Sequence, residues 1–307
     1  MTRWKNSLYL NTKKFNNEKI IFLGALALLT YLLTYLLTYS CSSDDNTPVD
    51  NTDPTQQNVI LPIKMNFEGE NRNINYDGTK ILNLVSTTNP NNKIVFTYSG
   101  DLVSEISYFE NSILQARNAY TYTNGLLTST ISTDYNDNGA IGTNATYTYT
   151  HISPSQINVK KQVSFATRNY TINVTYTYYN GNMTSFTGTG TGTQDGVATN
   201  HTVSGNFTYA DKNYPFKNVK GFDKLIFTGD SDDNFSILFS NRKNNLITYK
   251  DLNNYTASNG YGTSYSIYKY NTTYNSNGYP ISVIRQSYDL NGIPNTSPDT
   301  DTYEYNH

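Results

Sequence analysis

Asn169-Tyr170-Thr171-Ile172-Asn173-Val174-Thr175-Tyr176-Thr177-Tyr178 alternates without a break. Tyr170, Ile172, Val174, Tyr176 and Tyr178 fall on one side of an extended chain, and Asn169, Thr171, Asn173, Thr175 and Thr177 fall on the other. Strict period two in β-branched and aromatic residues marks a strand buried on one face only, the habit of antiparallel sheets. Tyr120 and Tyr122 alternate with Thr121 and Thr123 in the same way, and Tyr147 and Tyr149 with Thr146, Thr148 and Thr150.

Between such runs stand turns of one kind. Tyr135-Asn136-Asp137-Asn138-Gly139, Tyr274-Asn275-Ser276-Asn277-Gly278 and Tyr288-Asp289-Leu290-Asn291-Gly292 share the pattern Tyr-[Asp/Asn]-x-Asn-Gly. Shorter forms are Tyr76-Asp77-Gly78, Tyr98-Ser99-Gly100, Tyr122-Thr123-Asn124-Gly125 and Tyr178-Tyr179-Asn180-Gly181, and Tyr209-Ala210-Asp211-Lys212-Asn213 reads as a copy without the glycine. Asn-Gly is the strongest short hairpin signal, because both residues tolerate positive φ. Successive turn tyrosines lie 22–24 or 13–14 residues apart where the turns are dense, which suits two strands or one strand per turn. The alternation predicts an all-β antiparallel hairpin meander of about 14 strands, curled or closed into a barrel-like sheet so that few edges stay open, with a two-sheet sandwich as the alternative. Tyr265–Tyr270 breaks phase and predicts a bulge or a strand buried on both faces. Gly188–Gly196, whose first six residues alternate Gly and Thr, predicts a mobile loop between strands.

The first 57 residues are of another kind. Arg3, Lys5, Lys13, Lys14 and Lys19 precede an uncharged run over 20–39, and Ser40 precedes Cys41, the only cysteine of the chain. A basic stretch, an apolar stretch and a small residue form a secretory signal. A small residue directly before a cysteine is also what a bacterial lipoprotein signal requires, the thiol then taking a diacylglycerol. Residues 1–40 therefore read as a lipoprotein signal peptide with Cys41 as the lipidated residue, 41–57 as a disordered tether, and 58–307 as a Tyr- and Asn-rich β domain. An uncleaved span over 20–39 and cleavage without lipid stay open as alternatives.

Removing residues 1–40 takes away five cations and one acid, so the formal net charge moves from -2 to -6. No basic patch is left, which argues against nucleic acid as a partner. Charged residues make up 15% of the chain, below the usual ~25%, and 29 Tyr and 13 Phe stand beside a single Trp, Trp4, within the signal. With Cys41 lipidated, no thiol remains for a disulfide, a zinc site or a nucleophile.

Ser42-Ser43-Asp44-Asp45 resembles the acidic export signal of surface lipoproteins in Bacteroidota, a resemblance that implies an outer-membrane lipid anchor with display at the cell surface as its further option. The turn motif resembles the YD repeats of Rhs-type proteins, Tyr288-Asp289-Leu290-Asn291-Gly292 being the best match. The domain is also similar to Tyr- and Asn-rich Bacteroidota lipoproteins of unassigned function, one of them described as having a porin-like fold.

Catalytic chemistry has little to stand on in the sequence. His151, His201 and His307 lack metal-ligand spacing, and no G-x-S-x-G elbow is present. Asp134–Gly139 begins like a calcium loop, but Ala145 stands where its twelfth-position acid would be. Asp230, Asp232 and Asp233 form the densest acidic cluster and are the weak candidate for a metal, although a solvated turn between the strands Leu225-Ile226-Phe227 and Phe235–Phe239 is the stronger account of them. No cofactor is implied. The expectation is a membrane-anchored lipoprotein displaying a structural or binding domain without enzymatic activity, its partners being the membrane through the lipid and a glycan or envelope protein. The alternatives are a glycan-active hydrolase with scattered carboxylates and an orphan Rhs-like shell fragment.

Overall fold

The quoted decapeptide is the middle of a longer strand in a closed sheet. The computed structural model describes residues 59–307 apart from 137, 228–237 and 259. In chain order the strands are β1 Pro62–Phe67, β2 Glu70–Asp77, β3 Lys80–Ser86, β4 Lys93–Ser99, β5 Leu102–Glu110, β6 Ile113–Thr123, β7 Leu126–Tyr135 and β8 Ile141–Ser153. They continue as β9 Gln156–Phe165, β10 Arg168–Tyr179, β11 Asn182–Gln194, β12 Val197–Asn213, β13 Asn244–Ala257, β14 Gly260–Tyr274, β15 Pro280–Ser287 and β16 Asp299–Tyr305. Each strand pairs antiparallel with its neighbour in sequence, and β1 pairs with β16 through Met65↔Tyr303 and Asn66↔Thr302, so the meander closes into a barrel. The barrel form of the expectation holds and the sandwich does not. The described residues form a barrel of sixteen strands where the sequence predicts about 14.

The alternation sorts side chains between the lumen and the outer surface. On β10, Ile172, Val174, Tyr176 and Tyr178 are buried inward, while Asn173 and Thr177 are exposed outward. On β8, Ala145, Tyr147 and Tyr149 are buried, with Asn144, Thr148 and Thr150 outside. On β11 and β12 the outer face is Thr187, Thr189, Thr191, Thr193, Asn200, Thr202, Asn206 and Thr208. The barrel is thus apolar and aromatic inside and hydroxyl- and amide-bearing outside.

The lumen is filled at one end by residues 214–227 and 238–239 of the connection from β12 to β13. Tyr214, Phe216, Val219, Phe222, Leu225, Leu238 and Phe239 pack into a cluster with Met65, Leu84, Phe96 and Ile106 of the wall, and Ile226 and Phe227 join a second cluster with Tyr176, Phe186 and Tyr249. Leu225-Ile226-Phe227 is therefore part of this plug and not the strand that its sequence suggests; a single 3-10 turn, Phe222–Lys224, precedes it. The Phe216 ring lies 5.8 Å from Phe222, 5.6 Å from Phe239 and 6.3 Å from Tyr303, edge-on or tilted as aromatic quadrupoles prefer.

Turn chemistry explains the repeat. Asn180 and Gly181 have φ of 50° and 78°, the two left-handed residues that a twisted two-residue hairpin demands. In the turns after Tyr274 and Tyr288 the residue following tyrosine is a cap. Asp289 Oδ1 accepts N–H groups from Asn291 at 2.9 Å and Ile293 at 2.7 Å. Asn275 Oδ1 accepts from Asn277 at 3.1 Å and Tyr279 at 2.9 Å. An acceptor side chain is needed there, which is why only Asp or Asn occupies the position.

Three local expectations are corrected. Gly188–Gly196 is not a loop: it runs as β11 to Gln194 and turns only at Asp195-Gly196. A Cβ on Gly188 would sit 2.6 Å from the Asn173 carbonyl oxygen, and one on Gly190 would collide with that of Thr171, so the glycines let β10 and β11 approach closely. Tyr170 and His201, from the strands on either side, lean over the gap and stack 4.9 Å apart. Tyr209–Asn213 is the end of β12 rather than a turn, and Tyr265–Lys269 pairs with β13 with no bulge, Ser266 pointing in and Tyr265 out.

Candidate functional site

Above the plug, the lumen is a cup with an open volume of about 810 Å³. Leu225, Ile226 and Phe239 of the plug form its floor with Ile172, Val174 and Phe186. Tyr108, Tyr120, Tyr147, Tyr149, Tyr170 and Tyr176 ring its wall, and Asn118, Thr130, Ser132, Asn253 and Ser264 place amides and hydroxyls among them. Asp134, Arg168 and Ser264 are exposed at its rim. The ring comes from inward tyrosines of β5, β6, β8 and β10, while β7 and β9 between them line the cup with Thr130, Ser132, Lys161 and Val163.

Many tyrosine hydroxyls are spent on structure. Tyr209 donates to the Met183 carbonyl at 2.7 Å, Tyr76 to that of Pro62 at 2.7 Å and Tyr305 to that of Pro280 at 2.8 Å. Tyr149 and Thr130 share a hydroxyl contact of 3.1 Å within the cup wall. Burial pushes the Tyr149, Tyr176 and Tyr178 phenols well above their ordinary range, so they stay neutral donors.

Four charged side chains line the cup: Asp134, Lys161, Arg168 and Asp251. Asp251 accepts the Tyr249 hydroxyl and the Ser266 N–H, the latter at 2.8 Å. Burial raises the Asp134 carboxyl. Lys161 Nζ lies 5.7 Å from the centre of the Tyr147 ring and 5.8 Å from that of Tyr170, within cation–π reach of both. Burial, then the Lys161 charge, lowers the His201 imidazole, whose Nε2 meets Thr199 Oγ1 at 3.0 Å. His151 Nε2 is 2.8 Å from the Leu127 carbonyl.

A second charged group closes the seam of the barrel. Arg285 reaches Glu68 at 3.4 Å and Asp299 at 3.3 Å. Asp301 Oδ1 accepts the Glu68 N–H at 3.4 Å. Burial pushes the Asp301 carboxyl up to about 6, with Arg285 pulling the other way. These residues join β15, β16 and the β1–β2 turn and do not line the cup.

Of the residues that the sequence singles out, Cys41, Ser42, Ser43, Asp44 and Asp45 lie outside the described residues, as do Asp230, Asp232 and Asp233. Among the described residues no three of His, Cys, Asp and Glu gather as a metal would require. Lys161 and Arg168 carry no motif; only their inward register beside the tyrosines of β8 and β10 marks them.

No family model matches the chain, and no curated protein matches it. Among solved structures the chain is similar to a porin-like protein from Bacteroides vulgatus, with 13% identity and a TM-score of 0.47 over 81% of this chain and 99% of that one.

Proposed function

We propose that this chain is a lipid-anchored outer-membrane protein whose barrel stands in water and serves as a binding domain, without catalysis. The direction of the strand faces supports this. A barrel embedded in lipid carries a continuous apolar band about 25 Å tall on its outside. Here the outer face of β8 and of β10 to β12 is largely Thr and Asn, and the exposed large apolar strand residues include Ile63 on β1, Leu82 on β3, Leu126 and Ile131 on β7, Ile247 on β13, and Ile281 and Ile284 on β15, each set among polar neighbours along its strand. The apolar set faces a lumen that the plug blocks, which suits a cup and not a conduit. Ser40-Cys41 supplies the anchor.

A hydrolase would require two carboxylates poised across a substrate. Of the two acids of the cup, Asp251 already holds a phenol and an N–H. The Asx-capped turns favour the YD-repeat likeness and with it the shell-fragment reading. A cup of about 810 Å³ is far too small, however, for an enclosed domain, whose radius of gyration is about 13 Å for 100 residues.

The test inserts a site-specific protease site after Asp53, where the compact unit Pro54–His307 begins. Cleavage of washed membranes should release the barrel into the aqueous fraction, and Cys41→Ala should abolish palmitate labelling. A barrel that stays in the membrane fraction through cleavage and an alkaline wash would refute the water-facing reading.

A further inference from the structure

We propose that the plugged end of the barrel rests on the bilayer that holds Cys41, through a crescent of four exposed side chains, Ile247, Ile281, Ile63 and Leu82. This rests on the reading of the chain as a lipid-anchored barrel in water and names the surface by which its base meets the lipid.

The crescent belongs to a ring of β-bulges. Eight strand pairs meet at the plugged end, from β1 with β16 and β2 with β3 round to β14 with β15. In each the register slips by one residue near that end. Tyr76 pairs with Ile81 and Asn75 with Asn83, so Leu82 has no partner across the ladder. The same slip leaves over Ser104 on β5, Thr128 on β7, Ile152 on β8 and Thr184 on β11. It leaves over Ile247 on β13, Ile281 on β15 and Ile63 on β1. None of the eight is buried.

The bulge itself does not demand an apolar side chain, since Ser104, Thr128 and Thr184 occupy it equally well. Ile152 stands alone between Thr128 and Thr184. From β13 through β15 and β1 to β3, however, four in succession are Ile or Leu, each 38–43% exposed. One strand separates each from the next, so they follow one another at about 10 Å. Single exposed apolar residues are ordinary. Four at the same place in four successive strand pairs form a surface on one side of the base.

The chain itself sets what lies beside this end. Asn218 of the plug donates to the Ile60 carbonyl at 3.0 Å, and β1 begins at Pro62, so the N-terminal segment joins the barrel here. The sequence reads 41–57 as a tether, and a tether of that length spans about 21–25 Å root-mean-square. Lipid is therefore the apolar phase held closest to the crescent. Elements that lie on a membrane sink their apolar side chains about 5–10 Å into the headgroup boundary. A barrel leaning on its β13-to-β3 side does this with Ile and Leu, while the Thr and Asn of β10 to β12 stay wet. Four side chains hold only while the tether keeps the base at the bilayer, so a cut barrel still washes off.

Tryptophan fluorescence tests this, because Trp4 is the only tryptophan of the chain. In a Trp4→Phe background, Ile281→Trp and Leu82→Trp each place one indole in the crescent. Thr128→Trp places one at the equivalent bulge on the far side. The full chain is reconstituted on vesicles of phosphatidylethanolamine and phosphatidylglycerol, with or without brominated phosphatidylcholine, and floated. Emission from Ile281→Trp and Leu82→Trp should move to the blue and be quenched about twofold by the bromolipid, which a shallow insertion reaches. Emission from Thr128→Trp should stay red and unquenched. Should one crescent variant unfold, Ile63→Trp replaces it. A chain that floats with its crescent unquenched overturns the proposal and leaves the anchor standing. A chain that does not float denies the anchor, and the docking falls with it. Equal quenching of Thr128→Trp overturns the crescent in favour of a barrel sunk in lipid. A blue shift without vesicles that grows with protein concentration assigns the crescent to a second copy and overturns the proposal.

Discussion

Replacing Phe216 with alanine tests whether the plug is a seated part of the barrel core. The Phe216 side chain has no exposure and touches Tyr214, Phe222, Phe239 and Tyr303, with ring centres 5.6 to 6.3 Å away. Truncating a buried phenylalanine costs about 3–5 kcal/mol through lost transfer energy and the cavity left behind. The four ring contacts favour the upper part of that range, since each aromatic pair adds about 0.5–1.5 kcal/mol beyond area. At about 2–4 °C per kcal/mol for a domain of this size, the midpoint should fall by roughly 6–20 °C. The assay is thermal unfolding followed by circular dichroism at one fixed scan rate, because barrel unfolding is often irreversible. Phe165→Ala is the internal control: Phe165 is 43% exposed at the rim end of β9, and its loss should stay within about 1 kcal/mol. A Phe216→Ala midpoint within 2 °C of the parent would mean that the segment is not packed in the lumen, and the one-ended cup would fall with it.

Three further outcomes follow from the geometry. Asp301, raised to about 6 from 3.8, binds its proton more tightly folded than unfolded, so stability should rise as pH falls from about 7 to 4, by on the order of 3 kcal/mol; Asp301→Asn should flatten that slope in urea titrations at pH 4, 5, 6 and 7, and an unchanged slope would clear Asp301 of the effect. Gly190→Val should cost more than about 3 kcal/mol by forcing β10 and β11 apart, whereas Thr189→Val on the outer face should cost under about 0.5 kcal/mol; equal midpoints for the two would refute the close approach. Asp289→Ala removes the acceptor for Asn291 and Ile293 and should cost about 1–2 kcal/mol, with faster amide exchange confined to residues 288–294; unaltered exchange there would remove the capping role.

Legibility in the sequence followed one-sided burial. Asn169–Tyr178 and Tyr147–Thr150 were readable because each strand has one face on the lumen and one on the outer surface, so the chemistry alternates with the pleat. Gly188–Gly196 misled because its inward positions are empty of side chain: closeness to β10 selects glycine, and glycine also marks loops. Tyr209–Asn213 carried turn-forming residues yet continues β12, since pairing with Asn244 extends the ladder past its bulge. The plug was hidden for another reason. Leu225-Ile226-Phe227 is buried on all sides without belonging to a sheet, and a short apolar run has no period from which to tell that apart from a buried strand. The cup was the least readable part. Its floor comes from the plug and from β10 and β11, its walls from β5 to β14, and only closure brings Lys161 and Asp251 to one chamber.

The aromatic knot of Phe216, Phe222 and Phe239 has a consequence for how such a chain can change over generations. A meander of hairpins that share a turn motif invites duplication or loss of a unit by recombination, and each event would move the strand count by two. Going from sixteen to eighteen strands would widen the ring by roughly one eighth, since diameter grows about linearly with strand number. A filler cut to one bore would then rattle, and in a fourteen-strand ring it would be crushed. The knot therefore acts as a gauge block, holding a repetitive gene to a single circumference by the instability of every other.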